Sequence, residues 1–397
     1  LGQQIFLNPA LQQNYTTDSA GFTIFASYPL RRRAFTRVGI TYGWTATKIT
    51  AFSQSASLLF ESLQFTSLSG PSALSGLRSS KISPTITYNT VDNPMNPTHG
   101  KSYFYGFSIE GGPLGGNVNT LTNTFTATYF HPTYHHRNVI GMRILGSWIT
   151  GYSGKDVPPY SRFYQGGEND IRGFDFYTIS PYVSLPNPTT TAVTYLDPTR
   201  LDSHGNPSPV VIPNIPIVTF FPTRPGGDMQ IVSNFEYRIP IAGPVTLDLF
   251  NDLGLDGVLR QSQLSLNPGA VSQLQQEFPN PDFQTLSIPG RLQVIPGTNF
   301  HPRDSFGAEI VVQLPIVNAP FRFYYAYNPL RLTGTIVGER GGYYLNPALR
   351  NSLAALGVLD SQVAPQLNTI LDQSVQRLPA GLLEPSHTFR FTVSRTF

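Results

Sequence analysis

The sequence predicts an all-β chain, folded as an antiparallel transmembrane β-barrel with long loops on one side. Three observations predict it. Side chains alternate with a period of two in segment after segment. Only 12% of the 397 residues are charged while aromatics also reach 12%, and the charged share is about half of what soluble domains carry. Short connections alternate with long ones along the chain.

The alternation can be read run by run. Between 228 and 241, Met229, Ile231, Phe235, Tyr237, Ile239 and Ile241 share one face, and Gln230, Asn234, Glu236 and Arg238 share the other. Tyr103, Tyr105, Phe107 and Ile109 alternate with Ser102, Gly106, Ser108 and Glu110. Phe321, Phe323, Tyr325 and Tyr327 alternate with Arg322, Tyr324, Ala326 and Asn328. The last run sets Phe389, Phe391, Val393 and Phe397 against Arg390, Thr392 and Ser394. A soluble sandwich would bury an aliphatic face. Aromatic-rich faces opposite charged ones fit a barrel with lipid outside and a wet lumen. Eleven strands are expected, near 20–30, 36–47, 82–91, 101–111, 119–131, 138–152, 228–241, 245–254, 305–314, 320–328 and 387–397.

The connections at Tyr28–Arg33, Asp92–Gly100, His131–Arg137, Ala242-Gly243-Pro244 and Leu314–Ala319 are short. Those at 48–81, 153–227, 255–304 and 329–386 are long, and Gly111–Asn117 is one short exception. Outer-membrane barrels have short periplasmic turns and longer extracellular loops. The last strand is therefore expected to end in the periplasm, and residues 1–20 to lie in an extracellular loop. Single-chain barrels close with an even number of strands. Residues 1–397 are thus expected to form an N-terminally truncated barrel domain, with an odd number of preceding strands outside it. Within 329–386, Leu349, Leu353, Leu356, Leu359, Val363 and Leu367 recur at helical spacing. One or two short helices are expected there, packed over the extracellular side.

Composition narrows the function. With no cysteine, disulfide scaffolds and cysteine-based metal or redox chemistry are excluded. A net charge of +3 is too small and too scattered for nucleic acid. No apolar run reaches the roughly 18 residues of a membrane helix. His131, His135 and His136 fall in an expected turn without a carboxylate at ligand spacing, so no metal site is expected. Gly111-Gly112-Pro113-Leu114-Gly115-Gly116 lacks the Lys-Ser/Thr and the helix of a phosphate loop and reads as a hairpin.

The long connection 153–227 carries Gly166-Gly167-Glu168-Asn169-Asp170-Ile171-Arg172-Gly173-Phe174. Glycines permit positive φ and close approach of other chain. The arginine offers a planar fork of donors suited to a carboxylate. Glu236 and Asp252 share the lumen parity of two strands joined by the Ala242-Gly243-Pro244 turn. General acid/base catalysis by this pair would need a nucleophile and a pocket, and none accompanies it. Pairing with Arg172, folded into the lumen, is the expected use.

With these residues in hand, the chain resembles the C-terminal barrel of the outer-membrane protein assembly-factor family, the bacterial surface antigen family. Gly166-Gly167 followed by Ile171-Arg172-Gly173-Phe174 is similar to that family's loop-six motif. Asn234-Phe235-Glu236-Tyr237-Arg238-Ile239-Pro240 resembles the strand after it, and Phe250-Asn251-Asp252-Leu253-Gly254 the next. Asp92–Pro97 with Gly100 resembles a family turn, and Phe389–Phe397 the terminal strand.

The resemblance implies a sixteen-stranded barrel preceded by periplasmic POTRA domains. It also implies a lateral seam between first and last strands, of which Phe389, Phe391, Val393 and Phe397 would form the terminal side. Arg172 would be held by Glu236 and Asp252. The implied activity is folding and insertion of barrel proteins, without catalysis, cofactor or metal. Its partners would be unfolded outer-membrane β-barrel clients, periplasmic lipoproteins of an assembly complex and outer-membrane lipid. A two-partner-secretion pore on the same barrel is the alternative. A passive porin is a third reading, which would show stable ion conductance and a constricting loop rather than a loop arginine locked to the wall.

Overall fold

A computed structural model describes residues 15–66, 72–94, 96–133, 137–201, 203–278, 290–313 and 320–393. Its strands are β1 (Tyr15–Pro29), β2 (Thr36–Ala51), β3 (Leu77–Asn89), β4 (Gly100–Glu110), β5 (Thr120–Thr133), β6 (Asn138–Gly151), β7 (Val183–Leu201), β8 (Pro207–Thr223), β9 (Met229–Ala242) and β10 (Val245–Gly257). They continue with β11 (Gln293–Val294), β12 (Arg303–Val312), β13 (Phe321–Leu330), β14 (Thr335–Val337), β15 (Gly342–Tyr343), β16 (Arg377–Pro379) and β17 (His387–Val393). Eleven strands form one antiparallel sheet in the order β1-β2-β3-β4-β5-β6-β9-β10-β12-β13-β17. Each of the eleven expected strands has its counterpart in this sheet. Among the described residues β1 and β17 do not pair, so the sheet is open.

The first three strands run further on the long-loop side than expected. Tyr15 pairs with Ala51 and Leu77 with Thr47. Residues 15–20, expected in a loop, are therefore strand. Apolar alternation marks only the part of a strand that meets lipid, and the hydrogen-bonded ladder continues beyond it through Thr16, Thr17 and Lys48.

The polarity of the sheet is inverted relative to a soluble core. Tyr105, Phe125, Tyr129, Leu249, Ile310, Phe323 and Phe391 are exposed, while Glu236, Arg238, Asp252, Glu309 and Arg322 are buried. Charged side chains are buried in soluble domains only when paired. This sheet puts them on one face and an aromatic band on the other, as a lipid-facing wall requires.

The long connection 153–227 is not loop throughout. It contains the hairpin β7–β8, which joins two-residue strands into a second sheet ordered β11-β7-β8-β15. Pro186, Pro188, Pro216 and Pro222 lie within its ladder. Proline cannot donate to a ladder and is confined to edges. A ribbon whose outer neighbours cover only two residue pairs each leaves edges enough to hold them. The hairpin leaves the barrel wall intact, because β6 pairs directly with β9.

Over the long-loop side, the connections build a cap with apolar cores of its own. Leu59, Phe60 and Leu63 of the helix Gln54–Ser62 and its C-terminal edge meet Phe65, Val183 and Leu185. Leu353 of the helix Pro347–Ala355 and Val363 and Leu367 of the helix Asp360–Ser374 meet Val193 and Ile215 of the ribbon. Of the helically spaced residues in 329–386, Leu349, Leu353, Val363 and Leu367 serve this packing. Leu356 and Leu359 instead cap the two helices and are exposed. On the short-turn side, the Asp92 carboxylate accepts the backbone N–H of Thr98 and His99 at 3.0 and 3.2 Å, closing the Asp92–Gly100 turn.

Candidate functional site

The motif is a tight loop that enters the lumen. Gly167 and Ile171 bridge antiparallel, and the Asp170 N–H donates to the Gly167 carbonyl at 3.2 Å. Gly166, Gly167 and Gly173 all take positive φ, at +112°, +98° and +88°. Ile171 and Phe174 are fully buried against Ile179. Ile171 sits over Gly254 of β10, where a Cβ would come within 2.0 Å of its Cδ1.

Arg172 is 1% exposed. Its Nε and Nη2 donate to the two Asp252 carboxylate oxygens at 2.7 and 2.8 Å, the bidentate geometry a guanidinium favours. Its backbone N–H donates to Asp252 as well, at 3.0 Å. Nη1 is shared between Glu236 and Glu309, at 2.9 Å each. The guanidinium carbon lies 3.9 Å from the centre of the Phe250 ring, a cation–π contact. Gly307, opposite Phe250 in the ladder, leaves room for that ring: a Cβ there would be 2.9 Å from Phe250 Cζ.

Each wall carboxylate has a further donor. Arg238 donates from Nε and Nη2 to Glu236 at 2.9 and 2.7 Å. Arg322 donates to Glu309 from Nε, and from Nη2 at 2.8 Å. Asn234 donates to Asp252 at 2.8 Å and to the Asp170 carbonyl at 2.7 Å. Three guanidinium groups thus interlock with three carboxylates from β9, β10 and β12. Burial by itself lowers the Arg172 pKa, and the fields of Asp252, Glu236 and Glu309 more than reverse this and raise it well above the ordinary guanidinium value. The cation is permanent.

The structure therefore brings together Arg172, Glu236 and Asp252. It adds Glu309, which the sequence reading did not name, with Arg238, Arg322 and Phe250. Glu309 shares the parity of Ser305, which faces Asp252. That parity was readable, but β12 follows β10 only after a long connection, whereas β9 and β10 are tied by a two-residue turn. Glu309→Gln keeps the shape but removes the charge that two arginines address. It is expected to cost about 2 kcal/mol, read as a lower temperature for the folded-to-unfolded gel shift.

Phe389, Phe391 and Val393 face outward on β17, with Phe389 74% exposed. Phe391 packs on Phe323 of β13 with ring centres 4.7 Å apart. Phe397 lies outside the described residues. His131, expected in a turn, is on β5 with its ring stacked on Tyr129, while His135 and His136 lie outside the described residues. Gly111–Gly116 forms a hairpin connection, the Gly111 N–H donating to the Ser80 carbonyl.

The Omp85 superfamily domain matches residues 1–337. The chain belongs to the Omp85 superfamily. It is a β-barrel protein of the bacterial outer membrane. Over 96 residues this Omp85 chain is 30% identical to the outer membrane protein assembly factor BamA of Nitratidesulfovibrio vulgaris, a match covering 24% of the chain and 12% of that protein. Its fold is similar to the crystal structure of BamA from Haemophilus ducreyi lacking POTRA domains 1–3. The TM-score is 0.52 at 19% identity, over 83% of this chain and 55% of that one. The Omp85 chain thus spans about half the length of the solved relative.

Proposed function

We propose that this chain is the membrane domain of an outer-membrane protein assembly factor, which folds and inserts client β-barrels at a lateral seam beside β17. The observation that carries this reading is a loop arginine held by carboxylates from three wall strands inside an Omp85 barrel. A loop fastened so firmly in the lumen suits a protein that acts at its wall rather than through a wide pore. An unpaired backbone N–H or C=O in lipid is costly. A strand edge that supplies partners to an incoming strand lowers that barrier.

The proposed partners are unfolded outer-membrane barrel clients, periplasmic lipoproteins of an assembly complex and the surrounding lipid. The proposed role involves no covalent step, no cofactor and no nucleic acid. The relative named as an assembly factor supports the reading at the level of a 96-residue match.

The test replaces the full-length protein in cells with its Arg172→Glu variant, which sets a fourth negative charge among Asp252, Glu236 and Glu309. The expected result is a fall in the folded forms of many other outer-membrane barrels. Normal barrel levels with the loss of one secreted protein would instead favour the two-partner-secretion pore and overturn the proposal.

A further inference from the structure

The motif loop has a second set of contacts, away from Arg172 and directed at the terminal strand. Thr388 of β17 donates from Oγ1 to the Gly173 carbonyl at 2.7 Å, and Asn328 of β13 donates from Nδ2 to the same carbonyl at 3.0 Å. Two residues on, Arg390 points to the same side of β17. Its Nη1 lies 3.5 Å from Glu168 Oε1, and its Nη2 donates to the Asp175 carboxylate. Glu168 is buried and receives the Tyr324 hydroxyl at 3.5 Å. The acids therefore flank the motif on both sides, at Glu168 and Asp175, and both meet the same guanidinium.

The chain just before β17 is fastened as well. The Glu384 carboxylate accepts from Nε and Nη2 of buried Arg303 at 2.8 and 2.7 Å and from the Leu332 N–H at 2.6 Å. Asn328 donates to the Pro385 carbonyl at 2.8 Å. Among the described residues, β17 pairs with β13 from His387 to Val393. Among the described residues β17 is also the edge of the sheet, with a neighbour on one side only. Its register therefore rests on one ladder and on what its side chains touch.

We propose that the motif loop is a brace for the terminal strand, in which Arg390 and Thr388 are positioning residues that fix the register and inward seat of β17 through Glu168, Asp175 and the Gly173 carbonyl. The loop would then span the lumen wall from β9 to β17. Its Arg172 end is permanent, buried and threefold paired. Its Arg390 end is partly exposed, with Asp175 open to water, and is the end that can release. The consequence for client strands rests on the assembly role proposed above, whereas the brace itself does not.

The experiment measures amide hydrogen exchange in the full-length protein, in vesicles of outer-membrane lipid. It compares the native chain with Arg390→Gln plus Thr388→Val, and separately with Glu168→Gln plus Asp175→Asn from the loop side. Either pair is expected to speed exchange in residues 388–393 about tenfold while β10 and β12 stay protected. Arg390→Lys with Thr388 retained is expected to recover most of the protection. Unchanged exchange in β17 overturns the brace, and so does an equal rise in β10, β12 and β17, because that reports general loosening. Should one pair fail to fold, the other decides. Client-barrel levels are read in parallel in cells. Selective loosening of β17 with normal client levels upholds the brace and counts against the assembly reading alone.

Discussion

Replacing Arg172 by methionine is expected to destabilise the barrel by about 3–5 kcal/mol, the range found when one partner of a buried ion pair is removed. The loss should fall unevenly on the three acids. Glu236 keeps two bonds from Arg238, and Glu309 keeps two from Arg322. Asp252 keeps its bond from Asn234 but loses three from Arg172, including the one from the backbone if the loop leaves. A double-mutant cycle therefore has a predicted order. Arg172→Met combined with Asp252→Asn should recover more stability than Arg172→Met combined with Glu236→Gln. The readout is the temperature at which the heat-modified band appears on gels, with protease sensitivity of the motif loop as a second probe. Arg172→Lys should fall between, since an ammonium keeps the charge but cannot span both Asp252 oxygens. A methionine variant as stable as the parent would show that the interlocked charges hold nothing in place.

What could be read from the sequence follows from what the membrane demands. A strand between lipid and lumen must change polarity at every residue, so Phe321–Asn328 and Met229–Ile241 state their own faces. That rule stops at the membrane boundary. It says nothing about Tyr15–Ala20, whose pairing continues above the aromatic band, or about β7 and β8, which meet only protein and water. Their prolines argue against a strand unless a two-stranded ribbon with open edges is allowed for. The same limit governs the site. Glu236 and Asp252 could be named beside Arg172 because a two-residue turn makes their strands neighbours. Glu309 could not, since its place beside Asp248 depends on β12 closing onto β10 after a long connection. Thr388 and Arg390 lie more than two hundred residues from the loop they touch, and alternation assigns them a face but no partner.

Gly173 offers the sharpest separation of backbone strain from contact with the wall. Its φ of +88° is a conformation that costs an L-residue roughly 1–2 kcal/mol. A Cβ there would also stand 2.4 Å from Asn328 Oδ1, 2.9 Å from Ala326 Cβ and 3.0 Å from Ser305 Oγ. Gly154 has a similar φ of +74°, and a Cβ on it meets nothing within 4 Å. Gly154→Ala should therefore show the conformational cost alone, about 1 kcal/mol. Gly173→Ala should cost about 3 kcal/mol or more, because overpacking is added to the strain. The Asn328 amide cannot simply swing aside, since it donates to both the Gly173 and the Pro385 carbonyls. Displacing it loosens the approach to β17 as well as the loop. Both variants are compared by the heat-modified gel shift, and equal losses would mean that Gly173 is retained for its backbone angle only. A larger loss at Gly173, accompanied by faster exchange in β17, would locate the cost where the loop presses on the wall beside the terminal strand.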